Sequence, residues 1–252
     1  MLKHNLQNGT VAAGSLPTER VDVWTVPLVV GADETDALWE SLSCDERERA
    51  IRFVFDRDRR RFVVGRGALR SILASYLGSS PGSIRFAYGE HGKPMLADAT
   101  DANATDADSL EFNASGSGDL AVCAVTIGRK LGVDIELCRL PQDETVLEQC
   151  FSPAERHAYS TLSPEEKPAA FYRLWTLKEA YLKATGAGLS RPLSSFEVTF
   201  MPGQPARLAA DDLVPKGAQN WTFVEFQPGP AHVGALVIAG DERPVQSRRW
   251  SL

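Results

Sequence analysis

Two carboxylates two residues apart in an apolar run, Gly132-Val133-Asp134-Ile135-Glu136, could share a divalent cation. The β-branched surroundings predict a strand. Strand side chains alternate faces, so Asp134 and Glu136 point one way while Val133 and Ile135 point into a core. Two like charges on one face repel each other unless water or a cation separates them. Magnesium suits such a pair, because it is bound by one or two carboxylates and keeps positions for phosphate oxygens and water. A strand with one solvated acidic face fits the same pattern, so the pair alone leaves both readings open.

A second group lies in Trp175-Thr176-Leu177-Lys178-Glu179-Ala180-Tyr181-Leu182-Lys183. Glu179 and Lys183 are four residues apart and share a helix face. They form either a surface ion pair, worth about 0.3–0.5 kcal/mol, or a third metal ligand with a phosphate-binding lysine one helical turn away.

These groups need elements to hold them. Residues 120–127 and 131–137 read as two short strands joined by Gly128-Arg129-Lys130. Residues 171–185 read as a helix that restarts at the upstream Pro168 rather than continuing from Ser163 and stops at Gly186, with Phe171, Leu174, Trp175, Tyr181 and Leu182 along its apolar stripe. Residues 21–30 read as a strand interrupted by Pro27. Ser43 and Glu46 make a capping box before a helical stretch that runs, with breaks, to Leu77 and stops at Gly78. Ser152-Pro153-Ala154-Glu155 repeats that signal, and 196–200, 221–226 and 232–238 alternate like strands. Each half has a capped helical region followed by a strand pair. The expectation is an α+β fold of two similar lobes, 21–130 and 131–252, behind a loose tail at 1–20. Residues 97–109 are acidic and low in complexity, and read as a solvated loop.

Together, GVDIE at 132–136 and FYRLWTLKEAYLKATGAGLS at 171–190 resemble the 4′-phosphopantetheinyl transferase superfamily, in its larger, single-chain, Sfp-like branch. The family pattern is G-[IV]-D-[IVL]-E, then W-x-x-K-E-[AS]-x-x-K, and both parts are intact. RFVVGRGALRS at 61–71, the Gly92-Lys93-Pro94 turn and FNASGSGD at 112–119 resemble further family segments. Matched pieces cover most of the chain from 43 to 200.

The resemblance implies two lobes related by a pseudo-two-fold axis and a magnesium ion, or manganese in its place, held by Asp134, Glu136 and Glu179. Coenzyme A would be the co-substrate, and the nucleophile a serine of an acyl or peptidyl carrier protein. It further implies nucleotide contacts from Arg49, Arg61, Lys93, Pro94, Ser115 and Lys183. Lys183 would act at the phosphates, and Glu155, in FSPAERHAY, would take the proton of the serine. Glu155 also completes a capping box with Ser152, and a metal-bound water is the alternative base. Lys178 is a motif position without an assigned role. Gly116 departs from the pattern, standing where the family usually has a histidine that helps hold the 3′-phosphate. Weaker coenzyme A binding, or compensation by an arginine, is expected. The stretch from Gly186 to Ser190, with Leu189, is expected to border the docked carrier, and the family default is a monomer.

Composition narrows the classes. A net charge of -6 argues against a dedicated nucleic-acid binder. Within that acidic chain, nine arginines between Arg47 and Arg70 form a basic patch suited to phosphate. No apolar run approaches the roughly 20 residues of a membrane span. The four cysteines lack CxxC spacing, so reduced thiols in a cytoplasm are expected. His91 reads as a turn residue, and neither a GxSxG elbow nor a P-loop is present. Two rivals remain at this level: another magnesium-dependent phosphate-ester enzyme, and a non-catalytic carrier-binding homologue.

Overall fold

The computed structural model describes residues 16–89, 92–97, 109–139, 144–188, 191–213 and 220–252. The tail before residue 16, His91, the acidic stretch 98–108, and Leu189 with Ser190 lie outside the described residues. The first half runs β1 (Val21–Pro27), α1 (Ala32–Glu40), α2 (Cys44–Ile51), α3 (Asp56–Leu77), β2 (Phe86–Tyr88), β3 (Pro94–Leu96), β4 (Leu110–Ser117) and β5 (Leu120–Ile127). The second runs β6 (Leu131–Leu137), α4 (Glu144–Cys150), α5 (Pro153–Ser160), α6 (Lys167–Thr185), β7 (Phe196–Val198), β8 (Leu208–Asp211), β9 (Trp221–Phe226), β10 (His232–Ala239) and β11 (Val245–Arg249).

The chain is a mixed α+β fold. One sheet has the order β11-β1-β5-β4 and the other β6-β10-β9, with β2-β3 and β7-β8 as small ribbons. Alternation along the long strands explains the layering. In β1 and β5, Trp24, Val26, Cys123 and Val125 face α3, where they meet Val63, Ile72 and Leu73. Their neighbours Val21, Val23, Val122 and Ala124 face the other way, onto Leu131, Val133, Ile135, Leu236 and Ile238 of the second sheet. The far face of β10 puts Ala235 and Val237 against Leu174, Leu177 and Tyr181 of α6. The order is helix, sheet, sheet, helix, which covers both faces of the central strands and accounts for near-continuous apolar runs such as LAVCAV.

The two long helices end alike, at Gly78 and Gly186, each in the left-handed region (φ 61 and 73). The capping boxes at Ser43/Glu46 and Ser152/Glu155 both form. Pro168 sits in the first turn of α6, where its missing N–H costs nothing. Pro27 ends β1 beyond the last β11 pairing, at Thr25↔Arg249, so no ladder bond is lost.

The helical stretch after Ser43, read as running with breaks, breaks at 52–55 into α2 and α3. Other features were not in the sequence reading. The FNASGS segment is a strand, β4, paired antiparallel with β5. The last strand, β11, leaves the second half and pairs parallel with β1, and Trp250 is buried in the first core. The C-terminus therefore closes the sheet of the first half, so a division at residue 130 does not separate the two sheets.

Candidate active site

The site is built where the free edge of β6 meets the polar face of β4. On the other side of β6, β10 pairs residue for residue, from His232↔Leu137 to Ile238↔Leu131. Among the described residues the outer edge has no strand partner, and two of its amides are capped by side chains instead. Asn113 Oδ1 accepts from the Val133 N–H at 2.8 Å, and Ser117 Oγ accepts from the Leu137 N–H at 3.0 Å. Asn113, Ser115 and Ser117 lie at i, i+2 and i+4 along β4, so all three face β6. Ser115 and Ser117 then donate, each at 2.7 Å, to Asp134 Oδ1 and Glu136 Oε2. The serine spacing thus fixes the orientation of both acids. His232 adds a contact at 3.0 Å between its Nε2 and the Ser117 carbonyl.

Helix α6 supplies the third acid. It lies against β6 because position 132 is glycine: a Cβ there would collide with the Ala180 carbonyl and the Ala184 amide. That contact brings the Lys183 ammonium to 2.6 Å from Asp134 Oδ1 and 3.1 Å from Ser115 Oγ. Burial, and then Asp134, push the carboxyls of Glu136 and Glu179 above the ordinary glutamate value, while Lys183 opposes the rise. The three acids therefore share one field. Asp134 Oδ2 is buried without a hydrogen-bond partner. Among the described residues, no three acidic, histidine or cysteine side chains stand together as a ready cation cage. Lys183 instead holds a place beside Asp134. The donor set nevertheless fits a hard cation: all oxygen, with one oxygen unsatisfied and two acids in mutual repulsion.

The remaining expected residues are distributed around this centre. Lys93 reaches across from the β2–β3 ribbon and donates to the carbonyls of Lys183 (2.7 Å) and Leu131 (3.2 Å), and burial lowers its pKa. It ties the C-terminal end of α6 to β6, a favoured place for a cation. Pro94 begins β3 opposite Tyr88. Arg61 pairs with Asp58 and with Asp119, next to the β4–β5 turn. Arg49 lies over the Phe62 ring, 5.2 Å from its centroid.

Glu155 is elsewhere. It is 4% exposed, on the buried side of α6, and both of its oxygens are engaged. Oε2 accepts from the Ser152 N–H (2.9 Å) and from Lys178 Nζ, and Oε1 accepts from the Val198 N–H (2.9 Å). Lys178 is fully buried and also donates to the Phe196 carbonyl at 2.8 Å. The lysine left without a role is thus the partner of Glu155. Asn113, Ser117 and His232 were missed as site neighbours. The i, i+2, i+4 polar alternation in FNASGS was the available signal for two of them.

Family comparisons cover nearly the whole chain. The model described as "4′-phosphopantetheinyl transferase superfamily" matches residues 130–249, and that described as "4′-phosphopantetheinyl transferase, N-terminal" matches residues 31–128. The 4′-phosphopantetheinyl transferase HetI of Nostoc sp. is 40% identical over 227 residues, spanning 90% of each chain. The 4′-phosphopantetheinyl transferase Sfp of Bacillus subtilis is 32% identical over 166 residues, 66% of this chain and 70% of its own. A holo-[acyl-carrier-protein] synthase structure from Thermotoga maritima aligns with 45% of this chain and 64% of its own, at 22% identity and a TM-score of 0.35. On the extent and identity of these sequence matches, the chain belongs to the 4′-phosphopantetheinyl transferase superfamily.

Proposed function

We propose that this protein transfers the 4′-phosphopantetheine arm of coenzyme A to a serine hydroxyl of an acyl or peptidyl carrier protein, releasing 3′,5′-ADP, with magnesium held by Asp134, Glu136 and Glu179. The observation that carries this reading is the shared field of those three carboxylates beside Lys183, with one Asp134 oxygen buried and unpartnered. When bound, the cation would offset charge on the pyrophosphate and on the departing nucleotide.

The chain's own residues do the positioning. Ser115 and Ser117 hold two acids in fixed rotamers, so no reorientation is needed when a charged substrate arrives. Lys183, 28% exposed, can exchange its Asp134 contact for a phosphate oxygen within the reach of one side chain. Arg61, Arg49 and Lys93 supply positive charge on the nucleotide side. In this reading Glu155 can serve as base only when its pair with Lys178 opens; closed, the pair braces α5 and β7 against α6.

One double variant separates those roles for Glu155. Glu155→Gln alone leaves a buried ammonium uncompensated, and should cost roughly 3–5 kcal/mol of stability. Glu155→Leu with Lys178→Met removes both charges but strands the Ser152 and Val198 amides and the Phe196 carbonyl, so it should recover only part of that loss in urea denaturation. If the double variant folds and transfers within about tenfold of the parent, Glu155 is a brace; complete loss of transfer in a folded double variant makes it the base.

Gly116 is testable in the same assay. It lies in β4, and a Cβ there meets Leu120 O at 3.5 Å, Ala121 Cβ at 3.6 Å and Ala121 Cα at 3.9 Å, all ordinary contacts, so a Cβ is tolerated. Gly116→His should lower KM for coenzyme A by about tenfold, the scale of one hydrogen bond to a charged group. An unchanged KM would remove the 3′-phosphate explanation.

Incubating the protein with coenzyme A, magnesium and an apo carrier, followed by mass spectrometry, tests the whole reading. The expected result is one phosphopantetheine per carrier on serine. Hydrolysis of coenzyme A without carrier modification would point instead to a phosphate-ester hydrolase.

A further inference from the structure

Ser117 carries the orientation of Glu136, yet it stands at the very end of β4. It pairs with Leu120 across a turn whose first residue, Gly118, is in the left-handed region (φ 62). Strand ends fray, and a glycine leaves the adjoining backbone free to swing. Ser115, which holds Asp134, is better placed. It lies inside β4, opposite Val122, and Asp134 also has Lys183. Glu136 takes its hydrogen bonds from Ser117 and from the Trp175 side chain. A mobile Ser117 would therefore release Glu136 more readily than a mobile Ser115 would release Asp134.

His232, the first residue of β10, meets this end of β4. It is 8% exposed and pairs with Leu137 at the end of β6. Its backbone N–H donates to the Gly229 carbonyl at 3.1 Å, which fixes it where the β9–β10 loop enters the strand. The ring lies between two glycines. A Cβ on Gly118 would stand 3.6 Å from Nε2, and one on Gly229 would crowd Nδ1 at 3.3 Å. Because the Ser117 carbonyl can only accept, the 3.0 Å contact requires the hydrogen on Nε2. Nδ1 then carries a lone pair, and it is buried without a hydrogen-bond partner among the described residues. An imidazole with one nitrogen unmet in the interior is not accounted for by packing alone.

We infer that His232 is a positioning residue for Glu136. Its Nε2–H fixes the Ser117 carbonyl and so holds the Ser117 hydroxyl between two partners. That hydroxyl accepts from the Leu137 N–H at 3.0 Å and donates to Glu136 Oε2 at 2.7 Å. The carboxylate is thus oriented from β4 and from β10 at once. The inference rests on the transfer reading above, and adds a residue that acts on the cation site only through another side chain. Losing an outer hydrogen-bond partner of this kind typically changes metal affinity or activity by about 10–100-fold.

The test uses the full chain, with Mn²⁺ binding followed by electron paramagnetic resonance, with and without coenzyme A, beside transfer kinetics. His232→Leu is expected to weaken Mn²⁺ binding and to lower kcat by about tenfold or more, with carrier KM within about twofold of the parent. His232→Gln, whose amide nitrogen reaches the region of Nε2, should recover both to within about threefold. Ser117→Ala should give a similar loss. Adding His232→Leu to it should cost little more, because both act on one carboxylate through one hydroxyl. In hydrogen exchange, the Leu137 amide should open faster in His232→Leu, while the Val133 amide, capped by Asn113, keeps its rate. Should His232→Leu fail to fold, His232→Asn, which stays polar but stops short of Ser117, takes its place. Unchanged Mn²⁺ affinity and kcat in the folded variant overturn the inference and leave the transfer reading intact. Fully additive losses in the double variant, or equal acceleration at Val133 and Leu137, also overturn it and mark His232 as packing only. A parent that binds Mn²⁺ but transfers nothing defeats the transfer reading, and the affinities of the four proteins then decide the role of His232. A parent that binds no cation overturns this role, whether or not it transfers.

Discussion

Glu179→Gln is expected to cut phosphopantetheine transfer by roughly 10²–10³-fold, the scale of losing one preorganised electrostatic group at a transition state. Stability should be retained. Glu179 is half-buried on α6, and its carboxyl is raised by burial and by Asp134 and Glu136. A neutral amide of the same shape therefore relieves repulsion rather than opening a cavity. On the proposed reading, what disappears is one of three negative charges that would face the cation. The magnesium concentration for half-maximal rate should rise as kcat falls, measured by carrier mass over time at saturating coenzyme A. A rate within a few-fold of the parent, at unchanged magnesium dependence, would show that this carboxylate is not a ligand. The binding-module rival predicts something different: parent and variant equally inactive with every carrier.

Gly132→Ala should have the largest effect on folding. Added methylenes in a well-packed core cost about 1–3 kcal/mol when side chains can yield. Here the obstacle is the backbone of α6, at Ala180, Lys183 and Ala184, which cannot rotate away. The loss should reach or exceed the upper end of that range, against a typical total of roughly 5–15 kcal/mol. Any folded fraction would have α6 displaced from β6, carrying Glu179 and Lys183 away from Asp134. Urea denaturation, with transfer measured on the soluble fraction, checks both consequences. A variant as stable and active as the parent would mean that α6 does not depend on this contact. The first residue of the GVDIE motif is in this sense part of the site without touching a substrate.

How legible the site was depends on the range of the interactions. Period-2 alternation placed Asp134 and Glu136 on one face of a strand, and β6 runs as that reading requires, with Val133 and Ile135 in the core between the sheets. Helical spacing put Glu179 and Lys183 on one face of α6, ending at Gly186. Such features depend on a few neighbouring residues, so a local pattern carries them. The FNASGS strand was harder to see, because Asn and Ser are poor strand formers and β4 exists through its pairing with β5 and its role on the β6 edge.

By itself, the sequence determined the candidate acids and lysine, the strand and helix that bear them, and the family to which their order points. Tertiary structure alone decided which carboxylate each serine holds, that Lys183 lies on Asp134, and that Lys93 spans to the end of α6. It also decided that Glu155 is locked to Lys178 and that β11 returns to pair with β1. These contacts join residues 19 to more than 200 positions apart. No repeat or spacing records them, because what selects each partner is the unmet hydrogen bond or charge left when the layers close.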